Sequence, residues 1–381
     1  MTSDNTVNET ALLLRESMRS FIAKEGDIQH VRTSLAQHEG LDRATWSTMG
    51  DNGFLGLLFP EDIGGFGLGF AEATIILEEL GRAVFPEPFA AAIVLAAGAL
   101  SACENKSLQE KLLPAIISGT TVVALAWQEN NGDYDPDSIK TRAVVDGDSV
   151  RISGIKDFIP AASSADGFLV TALGSGGTGL YWLERDCPGL TLTLKPGVDD
   201  TAYGRLQLDN VIIPSANIAS SAGAGGILNR AVDEARLCIC AELVGLMSQA
   251  LHLTLDYVKQ REQFGQKIAS FQVIQHRLAD LFIQQELSRN TLAQAVSIFD
   301  ETEDSTLRAS AVSAAKARAS DAALQITRQA IQLHGGIGFT DECNIGLYLK
   351  RALALSAWLG NATVHRERFG RVTPQTSVAS H

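Results

Sequence analysis

The residues of this chain that could do chemistry unaided do not gather into a reactive cluster. Its five cysteines, Cys103, Cys187, Cys238, Cys240 and Cys343, are odd in number and scattered. Cys238 and Cys240 form a C-x-C inside a helical pattern, with no second pair at metal-ligand spacing, so free thiols and no metal site are expected. His276 and His334 fall in a helix and at a turn, where hydrogen bonding rather than acid–base work is the ordinary imidazole role. No serine, histidine and acid make up a nucleophile triad. The run Pro60-Glu-Asp-Ile-Gly-Gly-Phe-Gly-Leu-Gly69 does not lead from a strand into a helix with dinucleotide-binding spacing, and it reads as a turn. Glu61 with Asp62, and Glu78 with Glu79, read as solvated faces.

Three zones must position whatever chemistry the chain has. Ala11, Leu12, Met18, Phe21 and Ile22, then Ala73, Ile76, Leu77 and Leu80, recur at helical spacing, which predicts an N-terminal helical domain over residues 1–120. The Ala-rich stretch Phe89 to Leu100 is too short to cross a bilayer and reads as a buried helix. Short β-rich runs, Val122 to Trp127, Ser149 to Ser153, Gly167 to Ala172 and Leu190 to Leu194, are separated by Asp, Gly and Pro clusters; they predict a small antiparallel β-domain over 121–224. Helical periodicity returns with Leu243, Leu246, Met247, Ala250 and Leu251, and again with Ile274, Leu278 and Leu281. The Ala-rich Thr306 to Leu333 should stop at Gly335-Gly336, and the whole of 225–370 reads as an antiparallel four-helix bundle before a polar tail, 371–381. The fold class is α+β.

Composition narrows the partners. A formal net charge of −13 over 381 residues argues against a nucleic-acid surface. The N-terminus lacks a basic flank before an apolar run, so neither a signal peptide nor a membrane span is expected, and a cytoplasmic protein is.

Two longer segments carry a family resemblance. Tyr257-Val-Lys-Gln-Arg-Glu-Gln-Phe-Gly-Gln-Lys-Ile268 followed by Ser270-Phe-Gln-Val-Ile-Gln-His-Arg-Leu-Ala-Asp280, and Ala330-Ile-Gln-Leu-His-Gly-Gly-Ile-Gly-Phe339, resemble the two signatures of the acyl-CoA dehydrogenase family. Gly56 to Gly65 and Leu206 to Pro214 match the family at the proper distances. Within it, the chain is similar to small subunits of pimeloyl-CoA and steroid side-chain dehydrogenases. The resemblance implies helix–sheet–helix architecture, FAD, an acyl-CoA substrate and an electron-transfer flavoprotein as electron acceptor. It assigns Arg261, Gln263 and Phe264, with Phe271 and Gln272, to the adenosine-diphosphate half of FAD, together with Gln332, Gly335 and Gly336. In the family these groups reach FAD held mainly by a neighbouring subunit. Asp233 and Arg236 fall at the flavin environment and the thioester arm.

The reactive side departs from the family. Its Trp-Ile-Thr triplet, whose threonine bonds the flavin, is here Phe158-Ile159-Pro160, and proline offers neither hydroxyl nor N–H. The Thr-Glu-Pro motif becomes Gln128-Glu129-Asn130. The two usual positions of the catalytic glutamate hold Ala235 and Leu359. Glu242, seven residues past Ala235 and about 10.5 Å along the same helix face, is the candidate substitute base; its alternative is a carboxylate satisfied by a neighbouring arginine. The correlated losses favour a partner subunit that grips FAD and lacks the base, in an α2β2 assembly with a homologous chain, over self-association. The substrate expected is bulky or dicarboxylic. A flavin-dependent monooxygenase and a non-catalytic structural partner are the competing classes.

Overall fold

The computed structural model describes residues 2–37, 40–129, 134 and 138–373. The helices α1 (Thr2–Glu25), α2 (Ile28–Ala36), α3 (Arg43–Asp51) and α4 (Phe70–Ala83) come first. Asp27 and Asp42 start α2 and α3, each accepting a backbone N–H three residues on. Met18, Phe21, Ala73, Ile76, Leu77 and Leu80 are buried as their spacing requires, whereas Leu12 is exposed. The stretch after Phe89 is a buried helix of unexpected kind: Ala90–Ala97 is a π-helix that passes directly into α5 (Gly98–Ser101). Then comes α6 (Lys106–Ile117).

The sheet follows. Its strands are β1 (Val123–Ala126), β2 (Arg142–Asp146), β3 (Ser149–Ile159), β4 (Gly167–Gly174), β5 (Gly177–Glu184), β6 (Leu190–Pro196), β7 (Ala202–Pro214) and β8 (Ile218–Ser220). They run in the order β6-β7-β3-β2-β4-β5-β8, and β1 joins at β4. Most pairs are antiparallel, but β4 pairs in parallel with both β1 and β2, a long-range arrangement that turn signals do not reveal. One face buries Val150, Ile152, Phe168, Val170, Leu206 and Val211 in a single apolar cluster.

The last helices are α7 (Ala224–Gln260), α8 (Gln272–Glu301), α9 (Ser305–His334), α10 (Ile345–Ala357) and α11 (Ala362–Val372), with a two-stranded ribbon, β9 (Glu262–Gln263) and β10 (Gln266–Lys267), between α7 and α8. Helix α9 packs against α8, α10 and α11. Helix α7 is apolar and long enough to cross a membrane, and 78% of its most apolar window is buried in the protein. The described chain divides into two compact units, Met1–Leu77 with Phe85–Cys238, and Glu78–Val84 with Ile239–His381.

In the second unit the end of α4 meets α7 backbone to backbone. A Cβ added to Gly81 would lie 2.0 Å from the Glu242 carbonyl oxygen, and one on Gly245 1.8 Å from that of Glu78. This contact corrects the reading of Glu78 and Glu79 as solvated. Glu79 is 3% exposed with Arg82 beside it, and Glu78 binds Arg289 at 2.8 Å. Glu61 and Asp62 are exposed, as read.

A buried acid in the first unit sets a pH dependence. His30 Nε2 and the Asp42 N–H both approach Glu87 Oε1, at 3.4 and 3.5 Å, while Glu87 Oε2 has no partner among the described residues. Burial pushes the Glu87 carboxyl above its ordinary 4.5, against the pull of His30. The bond to Glu87 raises the His30 imidazole above its ordinary 6.5, against its own desolvation. Both folded-state groups hold protons that the unfolded chain has released, so both contributions fade as pH rises. The thermal midpoint is expected to fall between roughly pH 5 and 8, and Glu87→Gln to flatten that slope in pH-resolved scanning calorimetry. An unaltered slope would remove the pair as its source.

Candidate active site

The second unit presents one group of candidates on its surface. Past α7 the chain reverses in a two-residue turn, Phe264 at φ 54° and Gly265 at φ 78°. Such a turn needs positive φ at both positions, which glycine adopts freely and phenylalanine only with strain. Phe264 is nonetheless 90% exposed, its ring edge-on to Phe271 at 6.3 Å between centroids. It is not core. Arg261, Gln263 and Gln272 are exposed beside it, and among the described residues the Arg261 guanidinium has no carboxylate partner.

The second signature lies at the end of α9. Gly335 stops the helix with φ 67° and ψ −144°, a backbone state that excludes a side chain. Gly335 and Gly336 face open space, with no atom within 4 Å of an added Cβ, and Gln332 is exposed next to them. Tyr257 joins the two signatures. Its hydroxyl donates to the His334 carbonyl at 3.0 Å, and the two rings stack at 4.4 Å. His334 Nδ1 lies 2.8 Å from the Ala330 carbonyl, which can only accept, so this nitrogen carries the proton. Burial holds the imidazole below its ordinary range. His334 is a neutral spacer. His276 is exposed.

The first unit holds the rest. On α7, Arg236 donates to Asp233 at 2.9 Å, both buried one helical turn apart. At the end of β3 the pairing with β7 slips between Lys156 and Ile159, and Phe158, at φ 55°, is pushed out to 43% exposure against Tyr203. Pro160 follows. The corner is tied from inside by Lys156, fully buried, which donates to Glu129 at 2.8 Å and Thr171 at 2.9 Å. Burial lowers the Lys156 ammonium to about 8, against the stabilising pull of Glu129. Burial also pushes Glu129 up, but Lys156 and the Thr141 N–H outweigh it and hold the carboxyl below its ordinary value. Asn130 lies outside the described residues.

None of the three base positions offers a free acceptor. Ala235 is buried and apolar. Leu359 is buried too, at φ 57° in the turn after α10. Glu242 is buried with Oε1 held by Arg351, at 2.8 Å from Nε and 2.6 Å from Nη2. A carboxylate committed to a charged fork is a poor proton acceptor, so the ion-pair alternative describes Glu242 and its reading as a base does not. Arg351 was not singled out from sequence. It lies 109 residues away on α10, beyond the reach of any periodicity.

Models of the acyl-CoA dehydrogenase N-terminal domain and C-terminal domain match residues 8–120 and 223–373. The chain belongs to the acyl-CoA dehydrogenase family. A probable acyl-CoA dehydrogenase of Bacillus subtilis, YngJ, is 31% identical over 366 residues, spanning 93% of this chain and 95% of its own length. A variant of the Tcur3481-Tcur3483 steroid ACAD superposes with a TM-score of 0.86 at 32% identity, covering 96% of this chain and 98% of that one. The ChsE4-ChsE5 complex of Mycobacterium tuberculosis has a chain with TM-score 0.86 at 26% identity, covering 95% and 96%. Helical N-terminal domain, central sheet and C-terminal bundle are those of acyl-CoA dehydrogenases. The family's members are FAD-binding flavoproteins, and FAD is the cofactor. The surface of the second unit fits it: an uncommitted guanidinium suits a pyrophosphate, and side-chain-free backbone admits close approach.

Proposed function

We propose that this chain is the base-lacking subunit of a hetero-oligomeric acyl-CoA dehydrogenase. One observation carries the reading: Arg351 occupies the Glu242 carboxylate while Ala235 and Leu359 fill the other base positions, and the cofactor-end residues stay exposed. The chemistry FAD would supply when bound is acceptance of the β-hydride of the acyl thioester. The α-proton then needs an acceptor, which a homologous chain supplies. This chain's part is to bind and orient. Arg261, Gln263, Gln272 and Gln332 address the diphosphate end, Phe264 and Phe271 cover it, and Gly335 and Gly336 let the backbone close on it. Asp233 fixes Arg236 toward the thioester arm.

Exposed apolar side chains on α8, Val273, Phe282, Ile283 and Leu287, support association with another subunit, since such a row is costly in water. A bulky or dicarboxylic acyl group is supported by the likeness to the steroid ACAD. Electron-transfer flavoprotein is the acceptor we propose, and the cytoplasm the location.

Purified alone, the chain should oxidise no acyl-CoA with ferricenium as acceptor. Co-expressed with a base-bearing homologue, it should gain activity, with fewer than one flavin per chain. Glu242→Gln in that assembly should retain turnover within about twofold, because a paired carboxylate contributes no proton transfer. A lone chain that dehydrogenates, and loses this on Glu242→Gln, would overturn the proposal.

A further inference from the structure

The sheet of the first unit ends at β6, which pairs with β7 on one side only. Three observations fix which way its backbone groups point. Just before the strand, the Gly189 carbonyl accepts the Asp209 N–H at 2.9 Å. Just after it, the Gly197 N–H donates to the Thr201 carbonyl at 2.6 Å. Both bonds continue the register that sets Leu192 against Leu206. Bonding alternates along an antiparallel pair, so the odd-numbered residues of β6 face β7, and Leu190, Leu192 and Leu194 turn their N–H and C=O groups to the open edge. Pro196, inside the strand, agrees, because proline is tolerated where its nitrogen points off the ladder. The Leu190 N–H is already used: it donates to the Cys187 carbonyl at 3.1 Å. The outward donors left are the N–H groups of Leu192 and Leu194.

This edge reads the same in both directions. In Pro188-Gly-Leu-Thr-Leu-Thr-Leu-Lys-Pro196, residues equally spaced about Leu192 are identical, save for Gly189 against Lys195. Two such strands, antiparallel about a two-fold axis at Leu192, would set Leu192 against Leu192, Leu190 against Leu194 and Thr191 against Thr193. The outward groups match in that same register. Each Leu192 N–H meets the other copy's Leu192 carbonyl, and each Leu194 N–H meets a Leu190 carbonyl, so no donor is left over. On the inner face Leu190 and Leu192 lie half-buried at the rim of the apolar cluster, and Leu194 is 43% exposed, so leucine against leucine would carry the cluster across the seam. On the outer face Lys195 would cross the other copy's Gly189, which has no side chain, toward the exposed Asp209 bonded to it on β7. Natural sheets guard an edge with charges or a bulge. Between Leu190 and Leu194, β6 has no charge, and its register with β7 is unbroken.

We infer that the outer edge of β6 is a self-recognition surface, to which a second copy of this chain adds its own β6 antiparallel about a two-fold axis through Leu192, joining two sheets into one. The surface lies in the first unit and rests neither on the cofactor end nor on the base-lacking reading.

The test compares the full chain with Leu194→Pro, which removes an outward N–H and sets a ring in the path of the second strand, while the bonds to β7 stay. In sedimentation velocity at matched concentrations, wild-type particles should have at least twice the mass of Leu194→Pro particles, with the unfolding midpoint unchanged. Leu194→Val keeps the N–H and should behave as wild type. Amide hydrogen exchange resolved to single residues should find the Leu192 N–H protected in wild type and open in Leu194→Pro, with Thr191 and Thr193 protected in both. Charge reads the register. Thr191→Lys with Thr193→Lys sets like charges directly opposite each other, as does Thr191→Glu with Thr193→Glu, and each double variant should stay at the lower mass. An equimolar mixture of the two should regain the wild-type mass, because every lysine then faces a glutamate. Equal masses for wild type and Leu194→Pro, or an open Leu192 N–H in wild type, overturn the surface. A mixture that stays at the lower mass overturns the two-fold register. Should Leu194→Pro not fold, the two charge variants take its place beside wild type.

Discussion

Arg351→Met is expected to destabilise the protein by up to about 3–5 kcal/mol, because it takes away a cation that holds the buried Glu242 carboxylate. The pair joins α7 to α10 inside the second unit, and neither side chain reaches water freely. Glu242 cannot move aside, since its own backbone is pressed against Gly81. Charge removal in both partners is a different case. Glu242→Leu combined with Arg351→Met replaces an ion pair by apolar groups of similar volume, which is often neutral or stabilising. The double variant should recover most of the loss in urea unfolding of the assembled protein. Equal destabilisation in single and double variants would mean that packing, not charge, holds the two helices there.

Gly336→Val is the second large effect, and it should fall on cofactor affinity alone. A Cβ at this position meets nothing within 4 Å, so the folded chain loses no contact and gains no clash. Its backbone is not among the positive-φ glycines, so valine adds no left-handed strain. If FAD closes over Gly335-Gly336, the isopropyl group sits where the cofactor must approach. FAD affinity should drop at least tenfold, or about 1.4 kcal/mol, with the unfolding midpoint unchanged. Gly370→Ala serves as control, being equally open but on α11, and should bind FAD as wild type does. Equal flavin titrations of all three proteins would remove Gly336 from the cofactor surface.

Much of the architecture was legible before any coordinates. Helix and strand periodicities are local properties, expressed over a few residues. Hence Ala73, Ile76, Leu77 and Leu80 read correctly as a buried stripe, and Gly335 as the stop of α9. The two signatures likewise pointed to one surface, because each is a contiguous run whose turn glycines and exposed polar residues lie close in the chain. The absence of a glutamate at 235 and 359 was also visible as letters.

What the linear order could not contain was who faces whom. Tyr257 and His334 meet across 77 residues, Glu242 and Arg351 across 109, and Lys316 and Gly360 across 44. Glu79 looked solvated because helical spacing says which residues share a face, not whether another helix covers it. The π-helix at Ala90–Ala97 was hidden for a related reason. Its alanines, isoleucine, valine and leucine suit any helix, and nothing in their order marks the wider one that this fully buried segment adopts. The chain alone therefore determined the elements, the two signature segments and the absence of a glutamate at 235 and 359. Only the tertiary structure decided that Glu242 is spoken for, since helix packing brings Arg351 to it.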